Sequence, residues 1–94
     1  MKETMLEQIF IGLSNKHRLY ILRLLKDSAM SVDEIASNIE LTKATISYHL
    51  KVLRMTGLVT TKKKKNNVFY SLNSKCIDAL HKWLQEFIEK GGVL

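Results

Sequence analysis

Residues 41–57 read Leu41-Thr42-Lys43-Ala44-Thr45-Ile46-Ser47-Tyr48-His49-Leu50-Lys51-Val52-Leu53-Arg54-Met55-Thr56-Gly57. Ile46, Leu50 and Leu53 recur at the spacing of one helix face, which predicts a helix over residues 43–55 with that face buried. Thr42 is the expected N-cap, and Gly57 takes the left-handed position that closes the C-terminal end. The opposite face carries Lys43, Ala44, Thr45, Ser47, Tyr48 and Lys51, small, polar or basic and with no acid among them. Side chains of this kind, together with Thr42 at the start of the helix, have the donors and the reach to contact DNA and read base edges in a major groove. No structural need explains a tyrosine on an exposed helix face, so Tyr48 and Ser47 are assigned to base or backbone contact.

Upstream, Ile39-Glu40-Leu41 is a short turn, and Ser31-Val32-Asp33-Glu34 before it is a capping box that opens a helix over 32–38 burying Ile35 and Ile39. Two longer amphipathic helices precede these. Leu19, Leu22 and Leu25, flanked by Ile21 and Leu24, mark a helix over 16–26 capped by Ser14 or Asn15. Leu6, Ile9, Phe10 and Leu13, widened by Met5, mark another over 3–13. Downstream of Gly57 the period changes to that of strands, 58–62 and 68–72, around the polar turn Lys63-Lys64-Lys65-Asn66-Asn67. A last helix, capped by Asn73 or Ser74, runs to about residue 89 with Ile77, Leu80, Leu84, Phe87 and Ile88 on one face, and Gly91 and Gly92 end it. The order is that of a mostly α domain with a small β-hairpin, an α+β winged helix-turn-helix occupying residues 1–94 as one domain. Its second motif helix is presented to the major groove.

Composition and charge support this reading. The chain has 94 residues, 46% hydrophobic and 26% charged, which suits one folded domain and leaves little room for a catalytic unit. Cys76 is the single cysteine, so a disulfide framework is excluded and a reducing, cytoplasmic setting is expected. No apolar run approaches membrane-spanning length, and the N-terminus with Lys2, Glu3 and Glu7 lacks a signal-peptide core, so neither export nor membrane insertion is expected. The net charge of +6 is unevenly placed. From Leu41 to Ile77 there is no Asp or Glu, while Lys43, Lys51, Arg54, Lys62, Lys63, Lys64, Lys65 and Lys75 are all basic. That segment faces a polyanion. A membrane surface would call for Trp, Phe or Leu interleaved with lysines on one helix, whereas the lysine run sits in a turn, so double-stranded DNA is the expected partner. The wing residues Lys62, Lys63, Lys64, Lys65, Asn66 and Asn67 are expected to hold its backbone.

The motifs also resemble a family. Residues 13–22, Leu-Ser-Asn-Lys-His-Arg-Leu-Tyr-Ile-Leu, resemble the L-x-x-x-x-R-x-x-I-L opening of ArsR/SmtB-type repressors. Residues 45–53 are similar to their TVSxHLKVL recognition helix, followed by Gly57-Leu58-Val59 and, after the wing, Tyr70-Ser71-Leu72. The resemblance implies a homodimer in which the first and last helices pack across a two-fold axis, with Leu6, Ile9, Phe10, Leu13, Leu80, Trp83, Leu84 and Phe87 at the interface. It implies a repressor acting on an inverted-repeat operator. Where metal or arsenic sensors carry a thiol pair, this chain has Met30-Ser31-Val32-Asp33-Glu34 and no thiol. The second sensing motif survives only as Asp78-Ala79-Leu80-His81, which leaves Asp78 and His81 as the residues a metal would have to use. No metal and no cofactor is therefore expected. The ending, with Trp83, Phe87-Ile88 and Lys90-Gly91, is similar to the metal-independent SdpR-like autorepressors. That likeness leaves open a sequestering protein partner, or no effector at all.

Other readings stand beside these. His49 is either a satisfied histidine at the core edge or a phosphate contact, and Arg18 and Arg23 are expected to make structural pairs or a backbone clamp. Cys76 is a small buried hydrophobe, a partly exposed thiol with no function, or a redox switch. An enzyme is not expected, because His17, His49 and His81 lie on three different helices with no partner set. The rival classes are a winged-helix protein-interaction module and a metal-sensing member of the same family. Against the module, its docking face would carry large apolar residues where this one has Lys43, Ser47 and Lys51.

Overall fold

Side chains start four of the five described helices, the first, which follows Lys2, being the exception. Asn15 Oδ1 accepts from the His17 and Arg18 amides, the Ser31 hydroxyl from Glu34, the Thr42 hydroxyl from Thr45, and Asn73 Oδ1 from Cys76. Each satisfies first-turn donors that have no partner within the helix. The Ser31–Glu34 capping box is complete, since the Glu34 carboxylate also accepts the Ser31 amide at 3.0 Å. A computed structural model describes residues 1–91 as α1 (Glu3–Leu13), α2 (Lys16–Leu24), α3 (Val32–Ala36), α4 (Lys43–Met55), β1 (Val59–Lys64), β2 (Asn67–Leu72) and α5 (Ser74–Gly91). The expected stop at Gly92 lies outside the described residues.

α1 and α4 have the expected bounds, and Gly57 has a φ of +87° just past α4, the left-handed value its role requires. α3 is shorter than 32–38, because the Ser37 hydroxyl and the Asn38 side-chain Nδ2 turn back onto the Asp33 and Glu34 carbonyls and end the helix there. α2 stops at Leu24, where the Lys26 amide reaches the Arg23 carbonyl in a tightened last turn. The hairpin differs more. Lys63, Lys64 and Asn67 pair within the ladder, which leaves only Lys65 and Asn66 in the turn, Lys65 at a φ of +58°. A further pairing adds to the hairpin, as Met30 exchanges both backbone hydrogen bonds with Tyr70 at 2.9 and 2.8 Å.

The core gathers Ile9, Ile21, Leu25, Ile35, Ile46, Leu50, Leu53, Leu58, Val59 and Leu80 from all five helices and the hairpin. Two of the expected interface residues are corrected by this. Ile9 and Leu80 are closed over by the chain's own core, at 1% and 9% exposure, because they sit on the inward edges of their stripes. α1 packs so closely on the α4–β1 corner that a Cβ at Gly12 would stand 2.7 Å from both Leu58 Cδ1 and Thr56 Oγ1. Gly12→Ala is therefore expected to destabilise the fold by about 1–3 kcal/mol. Thermal melting would register that as a drop of roughly 4–8 °C per kcal/mol, and an unchanged melting temperature would mean the corner can open.

Candidate nucleic-acid interface

α4 is amphipathic with its apolar stripe fixed in the core, so its other side is turned outward by default. Lys43, Ala44, Ser47, Tyr48 and Lys51 are exposed there, Tyr48 at 60%. Thr42 and Thr45 are engaged locally: the Thr42 hydroxyl accepts the Thr45 amide and donates to the Thr45 hydroxyl at 2.9 Å. Lys43 is also engaged, its Nζ lying 2.7 Å from Asp33 Oδ1 on α3. α4 carries no acid on this face, yet α3 brings one to its first turn. The pair is open to solvent and adds at most about 1 kcal/mol, so a phosphate can displace Asp33.

One further residue belongs to this face. Arg54 is exposed three residues beyond Lys51 and seven beyond Ser47, and these three, with Leu50, Met55 and Tyr70, line a concavity of about 340 Å³ between α4 and β2. The spacing of Arg54 made it detectable in the sequence. Tyr70 was not, because its position depends on the hairpin register.

The register also divides the wing lysines. Lys62 and Lys64 share the outer face with Phe69 and Ser71, where together with Ala29 they line a cleft of about 450 Å³. Lys63, opposite Val68, shares the face of Tyr70 that is turned to α4, and Lys65 stands in the turn beside Asn66. All four lysines, with Asn66 and Asn67, are exposed. They fan in three directions from a narrow ridge instead of forming one flat patch.

His49 is placed elsewhere. It is 6% exposed and lies under the reading face, so of its two readings the structure supports the core-edge one and removes it from the contact set. Its Nδ1 is 3.2 Å from Arg18 Nη1. Arg18, itself buried, donates through Nε to the Gly12 carbonyl at 2.9 Å and through Nη2 to the Ile11 carbonyl at 3.1 Å. It is thus the expected backbone clamp, holding the end of α1. Burial, then the Arg18 guanidinium and His17, holds the imidazole below its ordinary pKa of 6.5.

At the other end of the molecule, Phe10, Trp83 and Phe87 stack edge to face, with ring centroids 5.8 and 4.7 Å apart. Phe10, Leu84 and Phe87 are exposed, and Leu6, Leu13 and Trp83 are half-buried against the core. These six of the eight expected interface residues form an open apolar face with Met5 and Ile88. Asp78 is paired with Lys82 at 3.2 Å, and among the described residues no three His, Cys, Asp or Glu side chains come together to hold a metal. Cys76 is half-buried, and burial pushes its thiol pKa up, away from a reactive thiolate.

The profile of a family described as "Bacterial regulatory protein, arsR family" matches residues 15–61, from the α2 cap into β1. The transcriptional activator HlyU of Vibrio cholerae is 43% identical over 69 residues, 73% of this chain and 64% of that protein. Its solved structure superposes with a TM-score of 0.75 at 35% identity, covering 93% of this chain and 97% of that one. The transcriptional repressor SdpR of Bacillus subtilis is 31% identical over 86 residues, 92% of this chain and 96% of that protein. By sequence alignment the chain thus spans less than two thirds of HlyU and nearly all of SdpR. A homodimeric winged helix-turn-helix DNA-binding domain, Mb0332 of Mycobacterium bovis, has the same fold, with a TM-score of 0.76 at 24% identity over 94% of this chain and 82% of that one.

Proposed function

Because the chain belongs to the arsR family of bacterial regulatory proteins, we propose that it is a homodimeric, sequence-specific DNA-binding repressor of its own operon. The observation that carries this is the outward face of α4, polar and basic with no acid of its own, set directly beside a hairpin ridge of four exposed lysines. Ser47 and Tyr48 read bases, Lys51 and Arg54 hold the near phosphates, and the wing lysines with Asn66 and Asn67 hold the flanking backbone. The second copy docks on the Phe10–Trp83–Phe87 face, and Mb0332, a homodimer of the same fold, supports pairing of two copies. Two-fold symmetry then asks for an inverted repeat with half-sites about one or two helical turns apart. Repression is favoured over activation by the near end-to-end alignment with SdpR. As a regulator acting on DNA it works in the cytoplasm. A sequestering protein is one way its repression is relieved.

Fluorescence anisotropy with a duplex from its own upstream region, against a scrambled duplex across a salt series, tests the reading, with sedimentation fixing the stoichiometry. Two chains per site and a clear preference for the native duplex at physiological salt are expected. Weak, equal binding to both that vanishes with salt would make a protein-docking winged helix the better account. Ser47→Ala and Tyr48→Ala are expected to change discrimination at individual base pairs by about 1–3 kcal/mol. Substitution series showing a uniform loss instead would reassign both residues to the backbone.

A further inference from the structure

Between the proposed dimer face and the reading face runs one polar chain, buried at its centre. It begins at the Ile11 and Gly12 carbonyls, at the end of α1, passes through the Arg18 guanidinium to Nδ1 of His49, and ends where the His49 ring meets that of Tyr48 edge-on, centroids 5.4 Å apart. A guanidinium only donates, so Nδ1 must offer its lone pair and the neutral imidazole carries its proton on Nε2. A proton on Nδ1 would remove the acceptor and set two cations 3.2 Å apart in a buried site. The charged groups acting on the ring are Arg18 and His17, both from α2 and both opposing that proton. Tyr48 faces the ring from its own helix, and α1 meets the pair through main-chain carbonyls.

We propose that Arg18 and His49 are the positioning pair of the reading helix: neutral His49 locks α4 to the end of α1, and protonation of His49 releases α4 and lowers operator affinity. This rests on the DNA-binding reading above. The sign follows from a histidine whose folded pKa lies below 6.5. Its neutral form is favoured by the fold, so the locking is complete above pH 6.5 and is lost as pH falls through the depressed value.

The test is the ratio of affinities for native and scrambled upstream duplexes, measured by anisotropy from pH 7.5 to 5.0. Taking the ratio cancels the general attraction gained when other histidines charge. Wild type is expected to lose about threefold or more of its preference over that range. His49→Asn places a carboxamide oxygen where Nδ1 stands and cannot titrate, so its ratio is expected to stay level with pH. His49→Gln moves the polar atoms outward to the Nε2 position and is expected to lose about tenfold at every pH while circular dichroism still shows a folded chain. Parallel pH profiles for wild type and His49→Asn would overturn the proposal, as would wild-type behaviour of His49→Gln. A wild type that shows no preference for the native duplex at pH 7.5 overturns the DNA reading itself, and the proposal with it.

Discussion

Alanine at Lys62, Lys63, Lys64 and Lys65 together is expected to weaken binding to every duplex by about 10²–10³-fold at 0.15 M salt and to leave sequence preference intact. The magnitude follows from the register. Lys62 and Lys64 share one face of the ridge and Lys63 the other, so a wing lying along a backbone engages about two of them per subunit, four in the proposed dimer. Each phosphate neutralised contributes about 0.9 to the slope of log K against log salt, so the slope should flatten by roughly 4. The loss should shrink toward nothing as salt approaches 1 M, where counterion release no longer drives binding. All four side chains are exposed and make no ion pair among the described residues, so the variant should melt like the wild type. An unchanged slope would remove the wing from the interface, whatever happened to affinity. A changed base preference would mean that the ridge enters a groove and reads it.

Much of this arrangement was legible in the sequence because it rests on local chemistry. Cap residues fix the helix starts at Asn15, Ser31 and Thr42, and a left-handed glycine fixes the end of α4, all through contacts a few residues apart. The apolar stripe of α4 fixes its outward face by exclusion. What was not legible depends on distant partners. The Met30–Tyr70 pairing joins segments forty residues apart and leaves no periodic trace at Met30. The hairpin turn was read too long because a run of lysines and asparagines looks like loop, whereas ladder hydrogen bonds ignore side-chain polarity and carry the pairing out to Lys64 and Asn67.

Two residues show where pattern and chemistry diverge. The sequence left His49 open between the core edge and a phosphate contact; in the fold it joins Ile46, Leu50 and Leu53 on the inward side of α4, where Arg18 gives the buried ring a donor. The two terminal stripes pointed correctly to apolar faces. They did not separate Ile9 and Leu80, which the chain buries for itself, from Phe10, Leu84 and Phe87, which it leaves open. That division depends on how far each helix is rolled toward the core, and a stripe about half a helix wide does not specify it.

Arg18→Met is expected to lower the stability of the folded chain by about 3 kcal/mol. A buried cation is ordinarily a poor investment in stability, and replacing one with an apolar side chain of similar length is often neutral or even favourable. Arg18 is a different case, because among the described residues it has no carboxylate partner and is held by carbonyls. Those carbonyls belong to the last turn of α1, the negative end of a helix dipole, which offsets part of the guanidinium's desolvation. Methionine fills the volume but leaves the Gly12 carbonyl and His49 Nδ1 without their donor, at about 1–3 kcal/mol for each group that water does not reach. The Ile11 carbonyl keeps the Ser14 hydroxyl at 2.8 Å and the Ser14 amide at 3.2 Å, so the Gly12 carbonyl and His49 carry most of the loss. For a chain of this size 3 kcal/mol is a fall in melting temperature of roughly 12–24 °C, to be measured at matched protein concentration because a dimer's melting depends on it. Arg18→Lys should recover part of the fall, since one ammonium can serve one of these acceptors and not all three. A methionine variant as stable as the wild type would show that guanidinium desolvation cancels all three hydrogen bonds, and Arg18 would then hold the geometry of α1 and α4 without adding to stability.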